Sequence, residues 1–196
     1  MRHHDKSVTE AEKNALYSVF RERYSELYWL AFLLTGDQQQ SVQAFTNALD
    51  AEDGANPFFR SWMVSWARRL VIASALRVIA SQLRESVRRV ELSRFKDLVC
   101  PDGPPPATWT GFQGLTKPEV ERAVLAIDLF PRCALLLTVF ERLSVQDTAV
   151  LLGAEEALVR KAQGLGLIEL TRNIARGRGW NCDHNSEMDV GELQHA

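Results

Sequence analysis

LSVQDTAVLLGAEEALVRKAQGLGLIEL, residues 143–170, predicts two helices joined by a tight turn. Ser144 is a typical N-cap residue, and the acidic Asp147 follows three positions later, near the positive end of the helix dipole. Gly153 can adopt the left-handed conformation that ends a helix. Apolar residues then return at helical spacing, at Leu158, Val159, Ala162, Leu165 and Ile168. The segment therefore predicts a helix-turn-helix, whose second helix enters the major groove in DNA-binding proteins.

The upstream residues favour this interpretation over an ordinary helical hairpin, which has the same capping and periodicity. LAIDLFPRCALLLTVFERLSVQDTAVLLGA, residues 125–154, resembles the fourth-region signature of bacterial sigma factors, especially the extracytoplasmic-function group. The shared features are a Leu-x-Pro turn, an apolar helix, then Leu-Ser, an acidic residue, Ala and Leu-Gly. Two further segments resemble, in order, the second region of the same family: YSELYWLAFLLTGD, residues 24–37, and FRSWMVSWARRLVIASALR, residues 59–77. The resemblance implies an all-α protein that binds core RNA polymerase and promoter DNA to initiate transcription.

The length and composition of the chain are compatible with two small helical cores. Its 196 residues are 46% hydrophobic, and a net charge of −2 does not by itself indicate a polyanionic partner. The three cysteines, Cys100, Cys133 and Cys182, are few and widely spaced, which is typical of a reducing compartment. The polar start and the lack of an apolar run of about 20 residues predict a soluble, cytoplasmic protein without a membrane partner.

The predicted domain boundary is a linker rich in proline and glycine. Residues 100–118 hold five of the seven prolines and three glycines, a composition that disfavours both helix and strand. We predict a sigma region two-like helical domain over residues 8–97, a linker over 98–116, and a sigma region four-like helix-turn-helix domain over 117–174. Residues 175–196 show little periodicity and are predicted to form a largely disordered tail.

Local capping signals predict where individual helices start and end. The predicted first helix runs from Thr9 to Gly36, and the third occupies residues 58–99, where a break near 80–84 would leave no sequence signal. The remaining signals are Asp37 for a second helix, Asn56 and Pro57 for the third, Thr116 and Glu119 for the next, and Pro131 for another.

The predicted third helix carries the highest local concentration of positive charge. Residues 60–96 contain nine basic and two acidic side chains, so their net charge is +7 and the rest of the chain sums to −9. On its own, such charge more often marks a solvated face. The resemblance assigns the corresponding helix to the promoter element nearer the start site, where basic side chains follow phosphates. The candidate DNA-binding residues are Arg60, Arg68, Arg69 and Arg77 here, and Arg160, Lys161 and Gln163 in the second helix of the helix-turn-helix.

Aromatic side chains near the start of this helix are candidates for stacking on unpaired bases. Trp62 and Trp66 lie on its apolar stripe and are predicted to be core residues. Phe58 and Phe59 precede the stripe, and either role stays open for them.

Two segments depart from the family pattern. In QQQSVQAFTNAL, residues 38–49, Ser41 to Gln43 replace the usual Ala-Glu-Asp of the face that meets the polymerase clamp. The candidate polymerase-binding residues of this segment are Gln43, Thr46 and Asn47. Glu155 and Glu156 begin the recognition helix and oppose phosphates electrostatically. These departures favour an alternative, a divergent sigma-like interaction module that binds an anti-sigma factor without productive promoter recognition.

Enzymatic and metal chemistry find little support. The chain has no glycine-rich phosphate loop, nucleophile elbow or paired-histidine motif. Cys182 and His184 are better explained as free tail residues than as zinc ligands, because Cys-x-His alone is a weak metal signal. We therefore predict no catalytic residue, no metal, no cofactor and no small-molecule substrate. A helical protein without a transcriptional role is the third interpretation.

Overall fold

The computed structural model describes residues 17–51, 60–92 and 113–179, and every regular element in these ranges is helical. The predicted all-α class is confirmed for this part of the chain, and none of its helices is long and apolar enough to span a membrane. The predicted first helix is interrupted by a turn at Arg23, with residues 17–22 helical before it, and a π-helical turn, Leu136–Phe140, directly follows the helix that ends at Leu135. The helices are α1 (Tyr24–Thr35), α2 (Gln38–Leu49), α3 (Arg60–Val78), α4 (Ala80–Leu92), α5 (Lys117–Leu125), α6 (Leu129–Leu135), α7 (Val145–Leu152) and α8 (Glu156–Gly177).

Most of the described capping residues form the predicted local structures, but the helix expected to open at Pro131 begins two residues earlier, at Leu129. Gly36 ends α1 with φ 74°, in the left-handed region. The carboxylate of Asp37 accepts the backbone N–H of Gln40 at 2.8 Å and so caps α2. At the start of α5, the backbone N–H of Thr116 donates to the carboxylate of Glu119 at 2.8 Å. Thr9, Asn56 and Pro57 lie outside the described residues.

The predicted third helix is divided at Ile79, one residue before the range in which a break was expected. Its hydrogen-bond ladder continues across the division, because the N–H of Ile79 donates to the Ala75 carbonyl at 3.1 Å. The N–H of Leu83 in turn donates to the Ile79 carbonyl at 2.9 Å. Helices α3 and α4 therefore form a nearly continuous rod.

The two predicted domains contact each other through one shared hydrophobic core. Leu34 of α1 and Val71 of α3 are fully buried in the same cluster as Phe130 of α6 and Leu136 of the π-helical turn. Burying each such side chain contributes about 1.5–3 kcal/mol. Residues 93–112, which contain most of the predicted linker, lie outside the described residues. Independent folding of each domain therefore stays a prediction.

Arg132 joins helix ends from both halves of the chain. Its side chain is buried, and Nη1 donates to the Leu125 carbonyl at the end of α5 at 3.1 Å. Nη2 lies 3.5 Å from the Thr35 carbonyl at the end of α1. A cation at two helix C-termini is favoured by both helix dipoles, which offsets the burial that lowers the pKa of this guanidinium.

Helix α8 continues to Gly177, three residues past the predicted domain end at 174. It does so because Ile174 and Ala175 are buried against the rest of the molecule. Arg178 then fixes the chain to the start of α5, where Nη1 donates to the Gln113 carbonyl at 2.7 Å. The rest of the predicted tail, residues 180–196, lies outside the described residues.

Candidate nucleic-acid interface

Helices α7 and α8 form the helix-turn-helix that the sequence predicts. The Ser144 hydroxyl accepts the backbone N–H of Asp147 at 3.0 Å and donates to its carboxylate at 2.6 Å. Gly153 ends α7 with φ 61°, and α8 begins at Glu156. The buried face of α8 includes Val159, Ala162 and Leu165.

The three candidate DNA-binding residues of α8 lie in different environments. Arg160 is exposed and pairs with Glu156, one turn earlier, at 3.0 Å. Lys161 is half-buried, and its Nζ donates to the Val90 carbonyl near the end of α4 at 2.6 Å. Gln163 is also half-buried. Of the three, Arg160 is the one whose side chain stands in solvent.

The start of α8 is acidic. Glu155 and Glu156 are exposed, and they line a depression of 510 Å³ together with Glu91 of α4. Three carboxylates beside the start of α8 oppose the approach of a phosphate backbone. Glu156 also partly neutralises the charge of the exposed Arg160, with which it pairs.

A stripe of exposed arginines follows the rod formed by α3 and α4. We call Arg69, Arg77, Arg84 and Arg88 the basic stripe; all four are exposed, and their spacing is close to that of one helix face. Among the described residues, Arg69, Arg77 and Arg88 make no hydrogen bond or ion pair, whereas Arg84 donates to the Ala80 carbonyl of its own helix. The stripe therefore presents four positive charges to solvent.

Arg68, next to the stripe, is held by the other half of the chain. Its Nε donates to Glu141 Oε2 at 2.9 Å, and its Nη2 donates to Oε1 of the same carboxylate. The side chain of Glu141 is 8% exposed, so this is a largely desolvated pair. The hydrogen bond to Glu141 raises the pKa of Arg68, against the opposing effect of burial. The fourth arginine predicted in this region, Arg60, begins α3, and its side chain is outside the described structure.

An apolar groove separates the basic stripe from the helix-turn-helix. It has a volume of 410 Å³ and lies between α3 and α7, with Arg69 in one wall and Asp147 in the other. The remaining lining residues are Ile72, Ala73, Leu143, Val150 and Leu151.

The candidate polymerase-binding residues share the outer face of α2. Gln43, Thr46 and Asn47 are all exposed. The opposite face of α2 packs into the core through Ala44, Phe45 and Ala48. The structure therefore brings the three residues together on a polar, uncharged surface.

The sequence does not indicate the polar contacts between the two halves. Ser86 and Arg89 of α4 donate to the Asp128 carboxylate before α6, at 2.6 and 2.8 Å. Trp29 Nε1 of α1 donates to Glu121 of α5 at 2.8 Å. These residues have no distinctive spacing along the chain, so no sequence signal could have paired them.

Comparison with models of known families, with characterised proteins and with solved structures finds no match to this chain. The resemblance to sigma factors therefore depends only on the sequence motifs of residues 24–37, 59–77 and 125–154.

Proposed function

We propose that this chain is a transcription-initiation protein of the sigma-factor type, which works in the cytoplasm. In this proposal the basic stripe binds promoter DNA, the helix-turn-helix reads an upstream element, and the outer face of α2 contacts core RNA polymerase. The observation that carries the proposal is the basic stripe. Four exposed arginines lie on one helical rod, and three of them make neither a hydrogen bond nor an ion pair in the described part of the chain, which suits a phosphate backbone.

The helix-turn-helix supports the same proposal. Its second helix is long and carries the exposed Arg160, which is positioned for a base or a phosphate. Arg68 and Lys161 belong to the proposed DNA surface only in a conformation that releases them from Glu141 and from the Val90 carbonyl. DNA binding through these two cations therefore competes with contacts between the two halves.

A second candidate function is that of an interaction module, which binds an anti-sigma-type regulatory protein without productive promoter recognition. The acidic start of α8 and the engaged Lys161 favour it, because both weaken the recognition helix as a DNA reader. The uncharged face of α2 also favours it, since the polymerase contact in the family is acidic.

DNA binding by the full chain tests the first function. The probes are a single-stranded oligonucleotide and a duplex with an unpaired central bubble. Their binding is measured by fluorescence anisotropy at several salt concentrations. The triple variant Arg69→Glu, Arg77→Glu, Arg88→Glu should bind at least ten-fold more weakly at moderate salt. Its log–log salt slope should fall by about 2, since each lost contact to single-stranded phosphate removes about 0.7. The matched control, Arg21→Glu, Arg122→Glu, Arg176→Glu, makes the same charge change on exposed residues elsewhere.

Equal loss of binding in the stripe variant and the control would show a nonspecific charge effect and would contradict the proposed surface.

Binding to core polymerase distinguishes the two candidate functions. A sigma factor should co-purify with it, and Gln43→Lys, Thr46→Lys, Asn47→Lys should weaken that complex. On polymerase, Arg160→Ala should reduce occupancy of the upstream element about ten-fold, because one bidentate base contact contributes about 1–3 kcal/mol. No retention of core polymerase, combined with unchanged DNA binding by Arg160→Ala, would support the interaction module.

A further inference from the structure

The groove between α3 and α7 is an exposed apolar surface beside an unpaired cation. Val150 is 79% exposed and Leu151 is 40% exposed. Arg69, in the opposite wall, makes no hydrogen bond or ion pair within the described residues. Contiguous exposed apolar surface of this kind commonly marks a binding site. The occupant that fits must combine apolar side chains with at least one carboxylate.

We propose that residues 180–196 of the same chain bind this groove. The segment, WNCDHNSEMDVGELQHA, contains four acidic residues and no lysine or arginine, so its formal charge is −4. The basic stripe, which begins at the groove, carries four arginines. The segment and the stripe are therefore opposite in sign. Because Asp147 also lines the groove, the attraction comes from the stripe as a whole rather than from the groove lining, and it weakens as salt increases.

The order of residues within this segment suits the groove. In EMDV, residues 187–190, acidic and apolar side chains alternate. An extended backbone places Met188 and Val190 on one side and the two carboxylates on the other. The apolar side then packs on Val150 and Leu151, while a carboxylate at the rim pairs with Arg69.

The chain is long enough for this contact. Arg178 holds the end of α8 against the start of α5, through Glu119 at 3.1 Å. The groove lies by α7, which precedes the opposite end of α8, and α8 is about 33 Å long at 1.5 Å per residue. The eleven residue-to-residue steps from Gly179 to Val190 span about 36–40 Å when fully extended. The segment reaches the groove only when it is nearly extended, because a relaxed chain of this length spans roughly 17–20 Å, so the docking contact must offset the free energy of extending the tether.

The docking itself does not depend on the proposed function. If the basic stripe binds DNA, which rests on that function, a docked acidic segment would compete with phosphate for Arg69. The segment would then lower the DNA affinity of the full chain, and high salt would weaken both contacts.

Photo-crosslinking in the full-length chain tests the docking without DNA. Val150, which is exposed, is replaced with the photoreactive amino acid benzoylphenylalanine. After irradiation, products are separated by mass and digested, and the crosslinked peptides are identified by mass spectrometry. We expect crosslinks to residues 186–193 within a single chain. The matched position is Val42, which is exposed on α2 and does not line the groove, where the same amino acid should give no crosslink to residues 186–193.

Two variants test whether the contact has the proposed chemistry. Arg69→Glu should lower the crosslink yield by about 1.4- to 5-fold, the range equivalent to an exposed ion pair of about 0.2–1 kcal/mol. Met188→Ser with Val190→Ser should lower it further, and circular dichroism should show unchanged helicity in both. Crosslinks to a second copy of the chain would identify another occupant and overturn the proposal. Absence of crosslinks to residues 186–193, or a yield unaffected by Arg69→Glu, would overturn it as well.

Discussion

Arg68 of α3 and Glu141, which follows the π-helical turn, form a two-pronged ion pair across the two halves of the chain, with Nε 2.9 Å from Oε2. The pair brings together residues 73 positions apart. Glu141 is the first residue after the π-helical turn. The wider turn ends with the N–H of Glu141 donating to the Leu136 carbonyl at 2.9 Å, and the carboxylate that follows is directed at α3.

Replacing Glu141 with Gln should lower the free energy of unfolding by about 1–2 kcal/mol. This value lies between those of exposed pairs and of fully buried pairs that lose one partner, because Glu141 is buried but Arg68 is 35% exposed. Urea unfolding followed by circular dichroism measures the change. The control is Glu85→Gln, whose exposed pair with Arg89 spans 3.6 Å and should contribute less than about 0.5 kcal/mol. Equal effects of the two substitutions would show that the Arg68–Glu141 pair is no stronger than a surface pair.

The two central glycines of α8 should respond in opposite directions to alanine. A Cβ at Gly166 would lie 2.7 Å from the Pro131 carbonyl oxygen, so Gly166→Ala should destabilise the protein by about 1–3 kcal/mol. A Cβ at Gly164 meets nothing within 4 Å, so Gly164→Ala should stabilise it by up to about 1 kcal/mol through helix propensity. Thermal unfolding should therefore shift the two midpoints in opposite directions. A rise in both midpoints would show that the backbone of α6 lies too far from Gly166 to contact a Cβ there, and would contradict the close packing of α6 and α8.

Asp128 should make the stability depend on pH in the acidic range. Burial raises the pKa of its carboxyl, but hydrogen bonds from Ser86 and Arg89 outweigh burial and hold the pKa below its ordinary value of 3.8. The stabilising contribution is therefore fully present above the unfolded pKa of about 3.9, and it is lost as the pH falls through the folded pKa. Asp128→Asn should cost about 1 kcal/mol at pH 7, and the difference from the parent should shrink below about pH 4.

Glu169 of α8, which interacts with Asp128, needs a separate control. Burial raises the pKa of this carboxyl. The contribution of Glu169 to the free energy of unfolding therefore increases as the pH falls, which is opposite in sign to the contribution of Asp128. The variant Glu169→Gln should leave the acid loss due to Asp128 in place. Urea unfolding of the parent and both variants between pH 7 and 3.5 measures these differences. A constant difference between the parent and Asp128→Asn over this range would contradict the assignment.

Cys133 should be unreactive in the folded protein. Its side chain is fully buried in α6, and burial raises the pKa of the thiol to about 12, although the nearby Arg132 opposes this shift. Thiolate is the reactive form, so iodoacetamide at pH 8 should label Cys133 only when the core opens. The measurement uses Cys100→Ser with Cys182→Ser, with and without urea, followed by mass spectrometry. Fast labelling without urea would indicate that α6 opens locally.

The sequence by itself determined the local structure. Ser144, Gly153, Gly36 and Asp37 act as predicted, because a cap uses hydrogen bonds between residues a few positions apart. Residue type and spacing are enough to specify such bonds. The exposure of the arginines in the basic stripe also follows from helical periodicity, since the opposite face of the same rod is apolar.

Only the tertiary structure decided which basic side chains are paired with other groups of the protein and which are not. Arg68 and Arg69 are adjacent and chemically identical, yet one is paired with Glu141 and the other stands alone in the groove wall among the described residues. Lys161 likewise follows Arg160, but its ammonium group contacts α4. The physical reason is that these contacts depend on how the two halves pack. Packing is set by the shapes of whole buried faces, which the spacing of individual residues along the chain does not specify.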